Sequence, residues 1–150
     1  MLRTIIVDES RIFREIFREE LFKHFPFMSI HEAINGEEAI KKIYSLSPSL
    51  IFMDICLPGL NGLQLTQRIK KEFPNIRVAI LTGYDLPEYR RAAMQNGADA
   101  FFTKDRVKWS EIEGLLKPIN QQIFSKQRLI RRIFPKKWLQ NFGNRYTPLS

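Results

Sequence analysis

Residues 50–62 read LIFMDICLPGLNG, and the fold of the whole chain turns on this stretch. Leu50, Ile51, Phe52 and Met53 form an unbroken apolar run that ends on a carboxylate, Asp54. The run is too short for a helix and does not alternate with polar residues, so Leu50–Asp54 reads as a strand buried on both faces. Pro58-Gly59 and Asn61-Gly62 then break the chain in quick succession. From Gly62 to Phe73 the pattern turns helical, and it stops before Pro74.

The same strand–loop–helix step recurs on either side. Upstream, Arg3–Asp8 reads as a strand around Ile5, Ile6 and Val7. Ser10 then caps a helix running to about Lys23, with Ile12, Phe13, Ile16, Phe17 and Leu21 at helical spacing. Phe27–Ala33 reads as a second strand, Asn35-Gly36 as a turn, and Glu37–Leu46 as a helix ending before Pro48. Downstream, Arg77–Leu81 is the fourth strand. Asp85 is predicted to cap the next helix, with Pro87 in its first turn and Glu88 three residues on. Gly97 suits a left-handed cap at the end of that helix. Asp99–Thr103 is the fifth strand, and Ser110 with Glu113 is read as the capping box of a last helix.

Five near-continuous apolar strands alternating with five amphipathic stretches predict an α/β fold, a doubly wound parallel sheet covered on both faces. In such sheets ligands gather beyond the carboxyl ends of the strands. Asp8-Glu9, Asp54, Thr82 and Lys104 occupy four of the five strand ends. A fold without a site has no need to collect these side chains along one edge.

Composition bounds the alternatives. The 150 residues are 44% hydrophobic and 27% charged, as in an ordinary soluble globular chain. The single cysteine, Cys56, permits neither an intramolecular disulfide nor a cysteine metal cluster. The opening MLRTIIVDES has too short an apolar run for a signal peptide or a membrane span, so a cytoplasmic protein is expected. The net charge of +8 is unevenly placed. Residues 1–116 carry 16 acids and 16 Lys or Arg, whereas residues 117–150 carry eight basic residues and no acid. A neutral body with a basic tail implies an anionic partner for the tail.

Three carboxylates beside one lysine suit phosphoryl chemistry. Close carboxylates raise one another's pKa unless a cation offsets them. A hard oxygen-seeking ion such as Mg²⁺ fits them. A carboxylate held beside such charges can attack a phosphoryl donor and form an aspartyl phosphate, a reaction governed by positioning and charge neutralisation.

In VDES (7–10), IFMDICLPGLNG (51–62), AILTG (79–83) and GADAFFTKD (97–105) the chain resembles the receiver domains of two-component response regulators, over about residues 1–116. The resemblance implies a flavodoxin-like sheet of order 2-1-3-4-5. It makes Asp54 the phosphoacceptor, and gives a Mg²⁺ site to Asp8, Glu9, Asp54 and the backbone carbonyl of Cys56. Lys104 would pair with the phosphoryl group. Thr82 would supply the hydroxyl that bonds a phosphoryl oxygen, and Phe101 would be the switch aromatic. Two departures stand out: the acidic pair is Asp-Glu, and Asp105 follows Lys104 where many relatives have a proline. Lys-Asp is typical of the branch that usually carries a DNA-binding helix-turn-helix.

Residues 110–134 read as a long amphipathic helix interrupted at Pro118, either by a kink or by a new helix start. Arg128, Arg131, Arg132, Lys136 and Lys137 form a basic cluster, followed by Trp138, Leu139 and Phe142. The division expected is a receiver over 1–116 and a basic amphipathic helical tail over 117–150. The tail could dock on its own body or a second copy, or bind nucleic acid or an anionic membrane surface. At about 34 residues it is too short for a complete winged-helix module. The expected function is a response regulator that takes phosphate from a histidine kinase or phosphotransfer protein and signals to a downstream protein. It would catalyse only its own phosphorylation and dephosphorylation. The alternative is a receiver that gates nucleic-acid or membrane binding by the tail.

Overall fold

A computed structural model of the protein describes residues 1–133. Five strands and five helices alternate strictly: β1 Leu2–Val7, α1 Arg11–His24, β2 Met28–Ala33, α2 Gly36–Leu46, β3 Leu50–Met53, α3 Gly62–Glu72, β4 Arg77–Thr82, α4 Pro87–Gln95, β5 Ala100–Thr103 and α5 Trp109–Ile133. All strand pairs are parallel and the order is β2-β1-β3-β4-β5, as expected. The order reverses between β1 and β3, the place where a doubly wound sheet opens a crevice.

Alternation along the strands assigns the two faces. Ile5 and Val7 of β1, Ile51 and Met53 of β3, and Val78 and Ile80 of β4 share one core cluster with Ala39 and Ile43 of α2, Leu65 and Ile69 of α3, and Ala93 of α4. The opposite face receives α1 and the start of α5. Phe17 meets Phe52 edge-on at 5.0 Å and stacks on Trp109 at 6.1 Å.

Capping explains the helix starts. Ser10 accepts from the amide of Phe13 at 3.3 Å. Asn35 accepts from Glu38 N at 2.8 Å, while the Glu38 carboxylate accepts from Ile34 N at 3.0 Å. Asn35-Gly36 is therefore the start of α2 rather than a separate turn, and Ser47, at φ 46°, ends that helix just before Pro48. Asn61 caps α3 through Gln64 N at 2.9 Å. Gly97, at φ 89°, is the left-handed residue after α4, as predicted.

Three local expectations are corrected. Leu86, not Asp85, is the residue before α4, and it makes no side-chain cap. The Asp85 carboxylate instead accepts from Arg90, at 3.2 and 3.0 Å. Helix α5 begins at Trp109, so Ser110 lies inside it and the proposed capping box does not form. Trp109 is drawn in by stacking on the His24 ring at 4.2 Å. On α1, Ile12 and Ile16 are exposed, while Arg14, Phe17 and Leu21 face inward.

Contacts along the chain divide it into two units, Met1–Leu115 and Leu116–Ser150. In the second, α5 runs through Pro118 as one helix. Proline cannot donate to the carbonyl of Gly114, and a side chain added at Gly114 would enter open space.

Candidate functional site

The sheet ladder continues one residue past three strands and so fixes the site. Asp8 N donates to Ala33 O at 3.1 Å, Asp54 N to Val7 O at 2.9 Å, and Lys104 N to Thr82 O at 2.9 Å. The backbone of each residue is held by the sheet, while its side chain projects beyond the carboxyl edge.

There the Lys104 ammonium lies 2.6 Å from Asp8 Oδ2 and 3.2 Å from Asp54 Oδ2. Both carboxylates are buried and Lys104 is half-buried. The other oxygens have backbone donors: Ser10 N reaches Asp8 Oδ1 at 2.8 Å and Cys56 N reaches Asp54 Oδ1 at 3.3 Å. Burial raises the Asp54 pKa above the usual carboxylate value and the Asp8 charge adds to this, against the opposing pull of Lys104. For Lys104, burial works to lower the pKa, but the close contact with Asp8 and the charges of Asp54 and Asp8 outweigh it and raise it.

One close approach shapes the loop that carries Asp54. A Cβ built on Gly62 would lie 1.9 Å from the Asp54 carbonyl oxygen and 2.7 Å from its carbonyl carbon. Gly62 N also donates to Ile55 O at 2.9 Å. The absent side chain lets the chain from Asp54 to Gly62 fold back on itself.

Glu9 is exposed, and among the described residues no group of three His, Cys, Asp or Glu side chains is gathered as a metal-holding set. The donors present still suit a hard dication. Asp8 Oδ2 is buried and, although close to the ammonium, has no hydrogen bond of good geometry. One ammonium also offsets only one of two buried negative charges. Mg²⁺ takes one or two carboxylates and completes its shell with water, so this donor set fits it. Cys56 is exposed at the rim. Desolvation and the Asp54 charge push its thiol pKa up, which disfavours a reactive thiolate.

Thr82 is buried, and its hydroxyl accepts from Tyr84 N at 3.4 Å. Phe101 is buried in the core cluster with the Arg90 guanidinium 4.6 Å from its ring centroid. The backbones of Arg128, Arg131 and Arg132 lie in α5, and Lys136 and Lys137 fall outside the described residues.

Two neighbours were not read from the sequence as site residues. Arg14 Nη1 donates to the Asp8 carbonyl at 2.6 Å, and its Nε pairs with Glu32 Oε2 at 3.0 Å, which fixes the end of β1. Phe13 presents its ring 4.4 Å from the Lys104 ammonium. Arg14 had a signal: at i, i+3 and i+7 with Phe17 and Leu21, it sits on the core-facing stripe of α1.

The Asp54 shift has a sign that can be tested without metal. Because the folded pKa lies above the unfolded one, this group's contribution to stability is full below the unfolded value and is lost as pH rises through the folded value. In EDTA, Asp54→Asn is expected to raise the melting temperature at pH 7, and the gain should vanish at acid pH below the ordinary carboxylate range. A variant that melts at or below wild type at pH 7 would contradict the burial argument.

Comparison with known proteins agrees with this fold. The family profile of the response regulator receiver domain matches residues 4–117. The chain is similar to the response regulator protein VraR of Staphylococcus saprophyticus, at 29% identity over 87% of this chain and 63% of that protein. It is 30% identical to the chemotaxis protein CheY of Halobacterium salinarum, over 75% of this chain and 92% of that one. Among solved structures, a DNA-binding response regulator of the LuxR family from Staphylococcus aureus superposes with TM-score 0.68 at 30% identity, covering 81% of this chain and 98% of that one. The chain spans 44–63% of the length of the first curated relatives it matches. With fold, strand-end site and profile in agreement, the chain belongs to the receiver domains of two-component response regulators.

Proposed function

We propose that residues 1–116 take a phosphoryl group onto Asp54 from a histidine kinase or phosphotransfer protein, and that the modified domain signals through contacts with another protein. One observation carries this reading: a single ammonium, Lys104, bridges two buried carboxylates at the carboxyl edge of the sheet. An Asp54 carboxylate oxygen attacks phosphorus, and the P–N bond to the donor imidazole breaks as the ring leaves with its electron pair. In dephosphorylation, water attacks phosphorus, the P–O bond to Asp54 breaks with its electron pair on the carboxylate, and inorganic phosphate leaves with the water's oxygen and protons.

Lys104 offsets the charge on the phosphoryl oxygens in both directions. Mg²⁺, held by Asp8, Asp54, the Cys56 carbonyl and Glu9 if its side chain turns inward, would neutralise further negative charge there. The Thr82 hydroxyl would bond a phosphoryl oxygen, and Phe101 would respond by repacking.

The test is acetyl phosphate with Mg²⁺, read by intact mass. Wild type should gain one phosphoryl group and Asp54→Ala none. A gain that survives Asp54→Ala would remove Asp54 from the role.

A second reading rests on the charge asymmetry: eight basic residues and no acid over 117–150. In it the receiver controls binding of that segment to nucleic acid or an anionic membrane surface. Among the described residues no helix is long and apolar enough to cross a membrane. Nucleic-acid binding of this kind would weaken steeply with salt.

A further inference from the structure

The contact between Phe13 and Lys104 goes beyond the charge pairs. An ammonium has three donors, and Lys104 directs its charge at Asp8 and Asp54 from 2.6 and 3.2 Å. On a further side it meets an aromatic face, with Nζ 4.4 Å from the Phe13 ring centroid. That is well inside the range of an attractive cation–π contact.

The ring is fixed from both ends. Ser10 N donates to Asp8 Oδ1 and Ser10 Oγ accepts from Phe13 N, so the start of α1 is tied to the carboxylate that Lys104 pairs with. Behind it, Phe13 stacks on Phe17 at 5.5 Å and 15°, and Phe17 packs edge-on against Phe52 of β3. Swinging the ring away from the ammonium would break its stack on Phe17.

An aromatic face differs from a third carboxylate in a way that matters for the reaction. It attracts positive charge without accepting a directional hydrogen bond, and it does not titrate. A third carboxylate would engage a proton of the ammonium in a hydrogen bond. The ring leaves that proton free for an incoming phosphoryl oxygen, and its apolar surface keeps water from that side.

The geometry points to Phe13 as a positioning residue that holds the Lys104 ammonium in place for the phosphoryl group through its π face. The inference rests on the phosphoacceptor reading of Asp54 and names an additional participant in that site.

The experiment measures phosphorylation rate against acetyl phosphate concentration, with Mg²⁺ present, for the full chain. Phe13→Leu should lower the saturated rate about fivefold, with a smaller change in the half-saturating concentration. Phe13→Trp should recover most of that loss. Replacing Phe13 by mono-, di- and trifluorophenylalanine keeps shape and packing while draining the π face. The logarithm of the rate should then fall stepwise with each fluorine, and this series decides the matter even where Phe13→Leu folds poorly. A flat series, or Phe13→Leu at the wild-type rate, overturns the role of Phe13 while wild type still takes its phosphoryl group on Asp54. Absence of Asp54-dependent modification in wild type would instead defeat the underlying reading, and this inference with it.

Discussion

Lys104→Ala should lose both stability and chemistry, and Mg²⁺ should restore part of the first. Without the ammonium, Asp8 and Asp54 face each other with no positive side chain between them. Removing one partner of a buried ion pair costs about 3–5 kcal/mol. Lys104 keeps 22% of its side-chain surface in solvent, so a loss of about 2–3 kcal/mol is expected here. Urea denaturation in EDTA measures it. Repeating the titration in millimolar Mg²⁺ should narrow the gap to wild type, because a dication supplies the missing charge. The saturated rate with acetyl phosphate should fall about 10²–10³-fold, as when a fixed donor to developing negative charge is removed. Equal urea midpoints for variant and wild type in EDTA would mean that the pairing contributes nothing.

The smallest substitution with a large expected effect is Gly62→Ala. The added methyl would sit 1.9 Å from Asp54 O, 2.7 Å from Asp54 C and 3.0 Å from Ile55 Cα, all of them backbone atoms that no rotamer change can move. Gly62 is also held by its amide to Ile55 O and by its carbonyl, which accepts from Thr66 Oγ1 at 2.7 Å. Relief must therefore displace the segment that carries Asp54 and the Cys56 carbonyl. The expected cost is about 3 kcal/mol, the upper end for overpacking. Phosphorylation should fall at least ~10²-fold, since a displacement of about 1 Å at a reacting group has that effect. Gly59→Ala is the contrast. Its φ is +77° but nothing lies within 4 Å of the added carbon, so it should cost about 1 kcal/mol and spare most of the rate. If the two alanines proved equal in melting temperature and rate, close approach would not be what Gly62 provides.

The fold was legible because burial of a parallel strand leaves a run that can hardly be mistaken, such as LIFM before Asp54. Turn chemistry then set where each strand stopped. The site residues followed from strand ends, and Asp8, Asp54 and Lys104 do converge. Glu9 shows the limit of that argument, because the ladder holds the first residue past β1, Asp8, but not the second, and Glu9 faces solvent. Asp85 and Ser110 were misread for a related reason. Each has the residue type of a cap, but a cap depends on which competing contact wins: Arg90 for Asp85, and the stacking of Trp109 for the start of α5. Phe13 was visible only as an apolar helix position. Its meeting with Lys104 depends on how α1 lies across the sheet, and no local pattern encodes that.

The rings on the α1 side of the sheet have an optical consequence. Lys104 faces Phe13, Phe13 stacks on Phe17, Phe17 stacks on Trp109, and Trp109 lies 4.2 Å from the imidazole of His24. The indole is thus the third ring in a line that begins at the ammonium, with the His24 imidazole stacked against it. Its emission should therefore shift when the tilt or spacing of that stack changes, so an indole signal would report on rearrangement at the charge cluster.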